Sequence, residues 1–167
     1  MAFDVRLLRR EDDRGGFDCG EAPVNTFLQR FAHHHQFKHG VSVTWVAVEN
    51  AKIGAFATLT ATTMGRDEVP STRSLPPFPL PALLLARLGV DRSAQGSGLA
   101  KELLLAAIRS AIRMRSEVGC VGIVVDAKSA AVGFYERRAF VVIRGPTESD
   151  ATTKMFLPME TIDSAAG

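Results

Sequence analysis

The residue types and spacings best suited to chemistry lie in one run, Leu88-Gly89-Val90-Asp91-Arg92-Ser93-Ala94-Gln95-Gly96-Ser97-Gly98-Leu99-Ala100. Gly96 and Gly98 let backbone amides turn toward one point without side-chain obstruction. A helix that starts there leaves its first N–H groups unpaired and carries partial positive charge at that end. Together these features make a cradle for a pyrophosphate, built from the amides of Gln95, Gly96, Ser97, Gly98, Leu99 and Ala100. The run is not a Walker loop, because no Gly-Lys-Ser/Thr follows. Nor is it a dinucleotide fingerprint, because Lys101 stands where a third glycine is needed. All four histidines fall between Arg30 and His39. His35 and His39 have the four-residue spacing of helix-borne metal ligands, but no third ligand accompanies them and no metal is expected.

The elements around the loop follow from periodicity. Val5–Leu8 reads as an opening strand, and a helix runs from about Ala22 to Phe37 with Pro23 in its first turn. Phe27, Leu28, Phe31 and His35 (or His34) share its inner face at three- and four-residue spacing, and Gly40 ends it. Val41–Val48 and Lys52–Thr62 form a hairpin around Glu49-Asn50-Ala51. The Pro-rich stretch Leu75–Pro81 is a connection that delivers the chain into a central strand, Leu83–Val90. A long amphipathic helix then spans Leu99 to about Val118, with Ala100, Leu103, Leu104, Ala107, Ile108 and Ala111 as its apolar stripe. Val121–Val125 is a buried strand, Ala130–Arg137 a shorter helix, and Phe140–Arg144 and Lys154–Met159 are closing strands. The order β-α-β-β-β-α-β-α-β-β predicts an α/β (α+β) domain, residues 1–167, with a mixed central sheet and helices on both faces.

Composition narrows the function classes. The chain has 167 residues, 46% hydrophobic and 23% charged, which excludes disorder and permits a self-sufficient core. Arg87 interrupts the longest apolar run, so no membrane span is expected, and the charged start lacks the apolar core of a secretory signal. Two cysteines, Cys19 and Cys120, fit a reduced, cytoplasmic setting better than a disulfide framework, and both are expected to be structural. Net charge is only +2, far from the footprint of a dedicated nucleic-acid binder. Fifteen of the twenty cations are nevertheless arginines, clustered at Arg6, Arg9 and Arg10, at Arg109, Arg113 and Arg115, and at Arg137 and Arg138. They permit an RNA partner without requiring one.

Two segments carry a family resemblance. Gln95-x-x-Gly98-x-Ala100 resembles the Q/R-x-x-G-x-G/A signature of the GNAT superfamily of N-acetyltransferases, which bind the pyrophosphate of acetyl-CoA. Phe134-Tyr135-Glu136-Arg137-Arg138-Ala139-Phe140 resembles the F-Y-x-x-x-G-F element of the same superfamily. Ala139 replaces the usual Gly, which should alter a turn and not the chemistry, and Lys128 stands where many members carry a cofactor-contacting Asn. Three further segments are similar to one subgroup, the acetyltransferase toxins of toxin–antitoxin pairs that acetylate the α-amine of aminoacyl-tRNA. These are Phe17-Asp18-Cys19-Gly20, the Pro-rich lead into Leu85-Ala86-Arg87-Leu88-Gly89-Val90-Asp91, and Val125-Asp126-Ala127-Lys128.

The resemblance implies a GNAT acyltransferase fold and an acetyl-CoA-dependent N-acetyltransferase. Tyr135, the only tyrosine, would be the general acid for the leaving thiolate, since a phenol with pKa near ~10 is protonated at neutral pH. Phe134 would flank the cofactor. The backbone of Leu88 and Val90 would pair with the pantetheine arm, with a strand N–H available to the thioester carbonyl. Asp91, Asp126 and Glu136 are candidate bases, although an α-amine of pKa ~7.7–8.0 needs none. Arg87 leaves the strand by the face opposite Leu88, toward the RNA acceptor end or a carboxylate. The basic stretch Arg30–His39 is placed to touch phosphates. Implied partners are aminoacyl-tRNA, a ribbon-helix-helix antitoxin whose tail covers the active site, operator DNA only through that antitoxin, and a second copy in a homodimer. No membrane partner is expected. The competing readings are an acetyltransferase of small amines or protein N-termini without toxin activity, and a non-catalytic module that binds acetyl-CoA.

Overall fold

A computed structural model describes residues 2–166. Seven strands form one mixed sheet in the order β1-β2-β3-β4-β5-β7-β6. They are β1 (Asp4–Leu7), β2 (Val43–Glu49), β3 (Lys52–Met64), β4 (Leu80–Val90), β5 (Gly122–Ala127), β6 (Val141–Arg144) and β7 (Thr153–Pro158). β4 and β5 run parallel through Leu83–Leu85, and the ladders β1–β2, β2–β3, β5–β7 and β6–β7 are antiparallel. The chain divides into two compact units. One runs through Thr60 and adds Ala86–Ala107; the other comprises Ala61–Leu85 and the residues from Ile108 onward.

In the first unit the predicted hairpin forms, with Glu49 opposite Lys52 and both turn residues at positive φ, Asn50 at 52° and Ala51 at 60°. That pair is the signature of a two-residue turn whose twist matches the strands. Trp45, the only tryptophan, pairs with Leu7 across the β1–β2 ladder, and its indole Nε1 is buried without a hydrogen-bond partner. The helical segment 22–39 begins as predicted, with α1 (Ala22–Thr26) and Pro23 in its first turn, and ends at Gly40, whose φ of 63° is left-handed. Its interior differs from the expectation. Two π-helical stretches, Phe27–Phe31 and His34–His39, widen the turn, and the Ala32 N–H reaches back five residues to the Phe27 carbonyl. Phe27 and Leu28 are buried as expected, and beyond them the inner face passes to Ala32, with Phe37 packing against the same cluster. Phe31, expected inside at four-residue spacing, is 49% exposed, and His35 is half-buried.

β4 starts at Leu80, earlier than predicted, and includes Pro81. The missing N–H is tolerated at the strand's beginning, and the Pro81 carbonyl still accepts the Val121 N–H at 2.8 Å. α2 (Leu99–Glu117) buries Leu99, Leu103, Leu104, Ala106, Ala107 and Ala111, close to the expected stripe. In the second unit α3 (Val132–Glu136) is a single turn entered through a 3-10 turn at Ser129–Ala131. A closing helix, α4 (Met159–Ala166), was not expected from the sequence; Met159 and Ile162 bury its inner side. Among the described residues no helix is long and apolar enough to cross a membrane.

Candidate active site

The glycine loop follows β4 in the first unit. Gly96 and Gly98 have φ of 82° and 83°, and a Cβ on either would meet nothing within 4 Å. The left-handed backbone, not crowding, demands glycine here, and space lies open over both residues. In α2 the Glu102 N–H bonds the Gly98 carbonyl at 3.2 Å, so the amides of Leu99, Ala100 and Lys101 precede the first intrahelical bond. N–H groups left without an intrahelical bond at the positive end of a helix, next to glycines at positive φ, are the makings of an anion-binding nest. The residues fit a pyrophosphate. Ser97 fits less fully than expected: its N–H donates to the Ala94 carbonyl at 3.3 Å, and its hydroxyl donates to the same oxygen.

The loop is braced from below by Asp91, which is 4% exposed. Its carboxylate accepts the Asp18 N–H at 2.9 Å, the Ser93 N–H at 3.0 Å and the Ser93 hydroxyl at 2.6 Å, with Lys52 Nζ at 3.6 Å. Burial alone would push this carboxyl up, but the Ser93 hydroxyl, the two amides and Lys52 outweigh it and hold the pKa at about 2. Asp91 is thus an ionised clamp with its oxygens occupied, which removes it as a candidate base. The clamp reaches the segment Phe17-Asp18-Cys19-Gly20. The Arg92 N–H donates to the Asp18 carbonyl at 2.9 Å, and the Gln95 side-chain amide donates to the Val90 carbonyl at 3.2 Å and the Cys19 carbonyl at 3.5 Å. Asp18 in turn accepts from the Gly20 N–H and from Asn25, both at 2.9 Å. Gly20, at φ 91°, leaves room for the Arg92 guanidinium, which would stand 3.3 Å from a Cβ. The side chain of Gln95 therefore acts as a strut toward β4, leaving only its main chain for the cradle.

β4 itself carries Leu88 and Val90, both half-buried, around Gly89. A Cβ on Gly89 would lie 2.9 Å from Val24 Cγ1 and 3.2 Å from the Phe56 ring, so glycine lets the first helix sit directly on this strand. Arg87 is exposed, with its guanidinium 4.4 Å from the centre of the Phe27 ring. It stacks on an aromatic and does not pair with a carboxylate among the described residues.

Tyr135 lies in the second unit, on α3, and is 3% exposed. Its ring packs edge-on against Phe134 and Phe140, each with centroids 5.1 Å apart. Burial pushes its phenol up to about 12, so it is protonated at neutral pH. The helix ends immediately after it in a Schellman turn: the Phe140 N–H bonds the Tyr135 carbonyl at 3.1 Å and the Ala139 N–H bonds the Glu136 carbonyl at 3.2 Å. Ala139 occupies the left-handed position at φ 71°. The turn that glycine usually makes is thus preserved by an alanine under strain. Arg138 covers Phe134, its guanidinium 3.9 Å above the ring and its Nη1 donating to the Phe134 carbonyl at 2.9 Å. Asp126 and Glu136 are exposed, and Lys128 follows β5 at the start of the 3-10 turn, its carbonyl accepting the Ala131 N–H. Cys120 is buried with its thiol pushed up by desolvation, and Cys19 is half-buried; neither is in a disulfide. Among the described residues no group of three metal-ligating side chains gathers.

Asp91 was expected as a candidate base and Arg138 only as one of a basic pair; their roles as loop clamp and as cover over Phe134 were not read from the sequence. An Asp two residues before a Ser, directly after a strand, is the local signal of a side-chain-braced turn and could have marked Asp91.

Comparison with known proteins agrees with this geometry. Residues 17–162 match the acetyltransferase (GNAT) domain family. A tRNA-acetylating toxin of Mycobacterium tuberculosis (strain ATCC 25618 / H37Rv) is 31% identical over 140 residues, which span 82% of this chain and 80% of that one. AtaT, solved in complex with acetyl-methionyl-tRNAfMet, superposes with a TM-score of 0.87 at 25% identity, covering 99% of this chain and all of that one. A mutant AtaT toxin bound to acetyl-CoA and the C-terminus of the antitoxin AtaR shares the fold, with a TM-score of 0.78 at 23% identity over 99% and 98% of the two chains. With the glycine nest, the buried phenol and the mixed seven-stranded sheet in place, these matches make the chain a member of the GNAT acetyltransferase family.

Proposed function

We propose that this chain is a toxin that transfers acetyl from acetyl-CoA to the α-amine of aminoacyl-tRNA and so blocks translation. The observation that carries the reading is the stitching of Phe17–Gly20 onto the loop 91–95. It ties two of the three segments similar to the toxin subgroup to the cradle that serves the cofactor. The curated relative named as a tRNA-acetylating toxin supports the same substrate. One acetyltransferase domain spans residues 1–167 and works in the cytoplasm, where charged tRNA is found. Its partners are a ribbon-helix-helix antitoxin, operator DNA through that antitoxin, and a second copy of the chain.

The division of labour follows from the residues. Acetyl-CoA supplies the acetyl group as an activated thioester. The outward amides of Gly96, Gly98, Leu99 and Ala100 hold its pyrophosphate, and the main chain of Leu88 and Val90 orients the pantetheine arm. Tyr135 keeps a proton on its Oη through neutral pH, available to a departing sulfur. Asp126 and Glu136 are solvent-exposed, and a partly neutral α-amine, pKa ~7.7–8.0, loses its proton to water.

The test is mass spectrometry of a total aminoacyl-tRNA pool after incubation with the protein and acetyl-CoA, with Tyr135→Phe alongside. N-acetylated aminoacyl ends that depend on Tyr135 are expected. Acetylation that survives the Phe change keeps the substrate and overturns the acid. Acetylation of free amines but of no tRNA, by protein that binds acetyl-CoA, overturns the substrate.

A further inference from the structure

The helical segment 22–39 presents a surface that the acetyl-transfer chemistry leaves unused. Between Glu21 and Glu49 the sequence contains no carboxylate, while Arg30, Lys38 and all four histidines lie there. On this face Phe31 is 49% exposed, a large apolar ring that the π-helical turn has rotated out of the core. It does not stand alone. His35 lies 6.2 Å from Phe31 and 5.4 Å from Phe27, centroid to centroid, and the Arg87 guanidinium stacks over Phe27 at 4.4 Å. Further along, Arg10 covers Phe37 at 4.6 Å and His33 packs on the same ring at 5.0 Å. His33 is held below its ordinary pKa by desolvation first, and then by the positive charges of Arg14, His34 and Arg10. Arg87 directly precedes Leu88 on β4, and Val24 of the same helical segment packs on Gly89.

Planar rings and guanidinium faces set among cations that make no ion pair among the described residues suit the stacking of unpaired nucleobases, with Arg30 and Lys38 available to the phosphates. A hydrophobic protein partner would find the exposed ring too, but gives no reason for a stretch that contributes no carboxylate of its own from residue 22 to residue 48, Asp18 bordering it at Asn25. We infer that Phe31, His35 and Arg87 form a platform on which unpaired bases at the acceptor end of the RNA substrate stack as the chain leaves the reacting amine. The inference rests on the tRNA reading above and adds residues that act on RNA, not on acetyl-CoA.

Two measurements test it. The first is fluorescence anisotropy with an unacylated RNA hairpin ending in single-stranded CCA; the second is acetylation kinetics on aminoacyl-tRNA and on the corresponding amino-acid methyl ester. Phe31→Ala is expected to weaken hairpin binding and raise KM for aminoacyl-tRNA about tenfold, the size of one lost base–aromatic stack. Turnover at saturating tRNA, KM for the ester and affinity for acetyl-CoA should stay at the wild-type level. Phe31→Trp should restore binding, and Arg87→Lys, which keeps the charge but loses the plane, should not match the wild type. Hairpin binding that is indifferent to Phe31→Ala overturns the platform. So does an equal loss on the methyl ester, which would place Phe31 against the amino acid. If the wild type binds the hairpin through Phe31 yet acetylates no aminoacyl-tRNA, the platform stands and the proposed reaction falls.

Discussion

Asp91 and Tyr135 are both almost fully buried, and burial moves them in ways that differ instructively. At Asp91 the desolvation that favours a neutral carboxyl is outweighed by the Ser93 hydroxyl, two amides and a lysine, and the group stays charged with a pKa of about 2. At Tyr135 burial stands unopposed among aromatic rings, and the phenol rises to about 12. One region spends its polar groups on fixing a backbone that must present amides outward. The other withholds them so that a proton stays where it is. Bracing the loop proposed as the cradle and poising the phenol proposed as the acid thus call for opposite treatment of a buried polar side chain.

The sharpest way to break that contrast is to remove the proton. Tyr135→Phe should lower kcat for acetyl transfer by ~10²–10⁴, the usual range for a positioned acid. Its denaturation midpoint should stay near the wild-type value, since only one hydroxyl is lost. Removing the clamp should do the reverse. Asp91→Ala should cost about 3 kcal/mol in chemical denaturation, because it strips a charged acceptor from several donors. Calorimetry on the folded variant should show weaker acetyl-CoA binding, because the loop is no longer braced.

The pH limbs separate the two regions next. Tyr135, raised from 10.0 to about 12 because burial disfavours the phenolate, leaves stability intact below pH 10 and lowers it as pH rises toward and through 12, by on the order of 3 kcal/mol. As the chain has one tyrosine, phenolate absorbance should rise near pH 12 in the native protein and near 10 in denaturant. Asp91, lowered from 3.8 to about 2, contributes stability that is present above pH 3.8 and lost as pH falls through 2, on the order of 2 kcal/mol. Denaturation of Asp91→Asn across that range should lack this acid slope. The smallest expected effect is a gain. Ala139→Gly should stabilise the protein by ~1 kcal/mol, because glycine adopts the left-handed turn without a Cβ penalty.

Much of this was legible in the residues. Gly96 and Gly98 before an amphipathic stripe marked the cradle, and Asn50-Ala51 between β-rich runs marked the hairpin. The segment 22–39 was legible as a helix and in the first half of its face, Phe27 and Leu28, but not beyond, where the π-helical turn sends Phe31 outward while Ala32 goes in. Helix α4 was missed because Met159 was read as the end of the closing strand, although Pro158 marks the junction, and the helix that follows is short, with only Met159 and Ile162 buried. The clamp at Asp91 was half legible: Ser93 is two residues away, but Asp18 comes from 73 residues upstream, and no local pattern reports that pairing.

The lone indole and the lone phenol give the chain a pair of optical reporters that needs no labelling. Trp45 sits in a strand of the first unit and Tyr135 on a helix of the second. Indole emission and phenol absorbance therefore follow different halves of the same polypeptide. Coincident melting curves from the two would describe one cooperative transition, and separated curves would describe a chain that comes apart in stages.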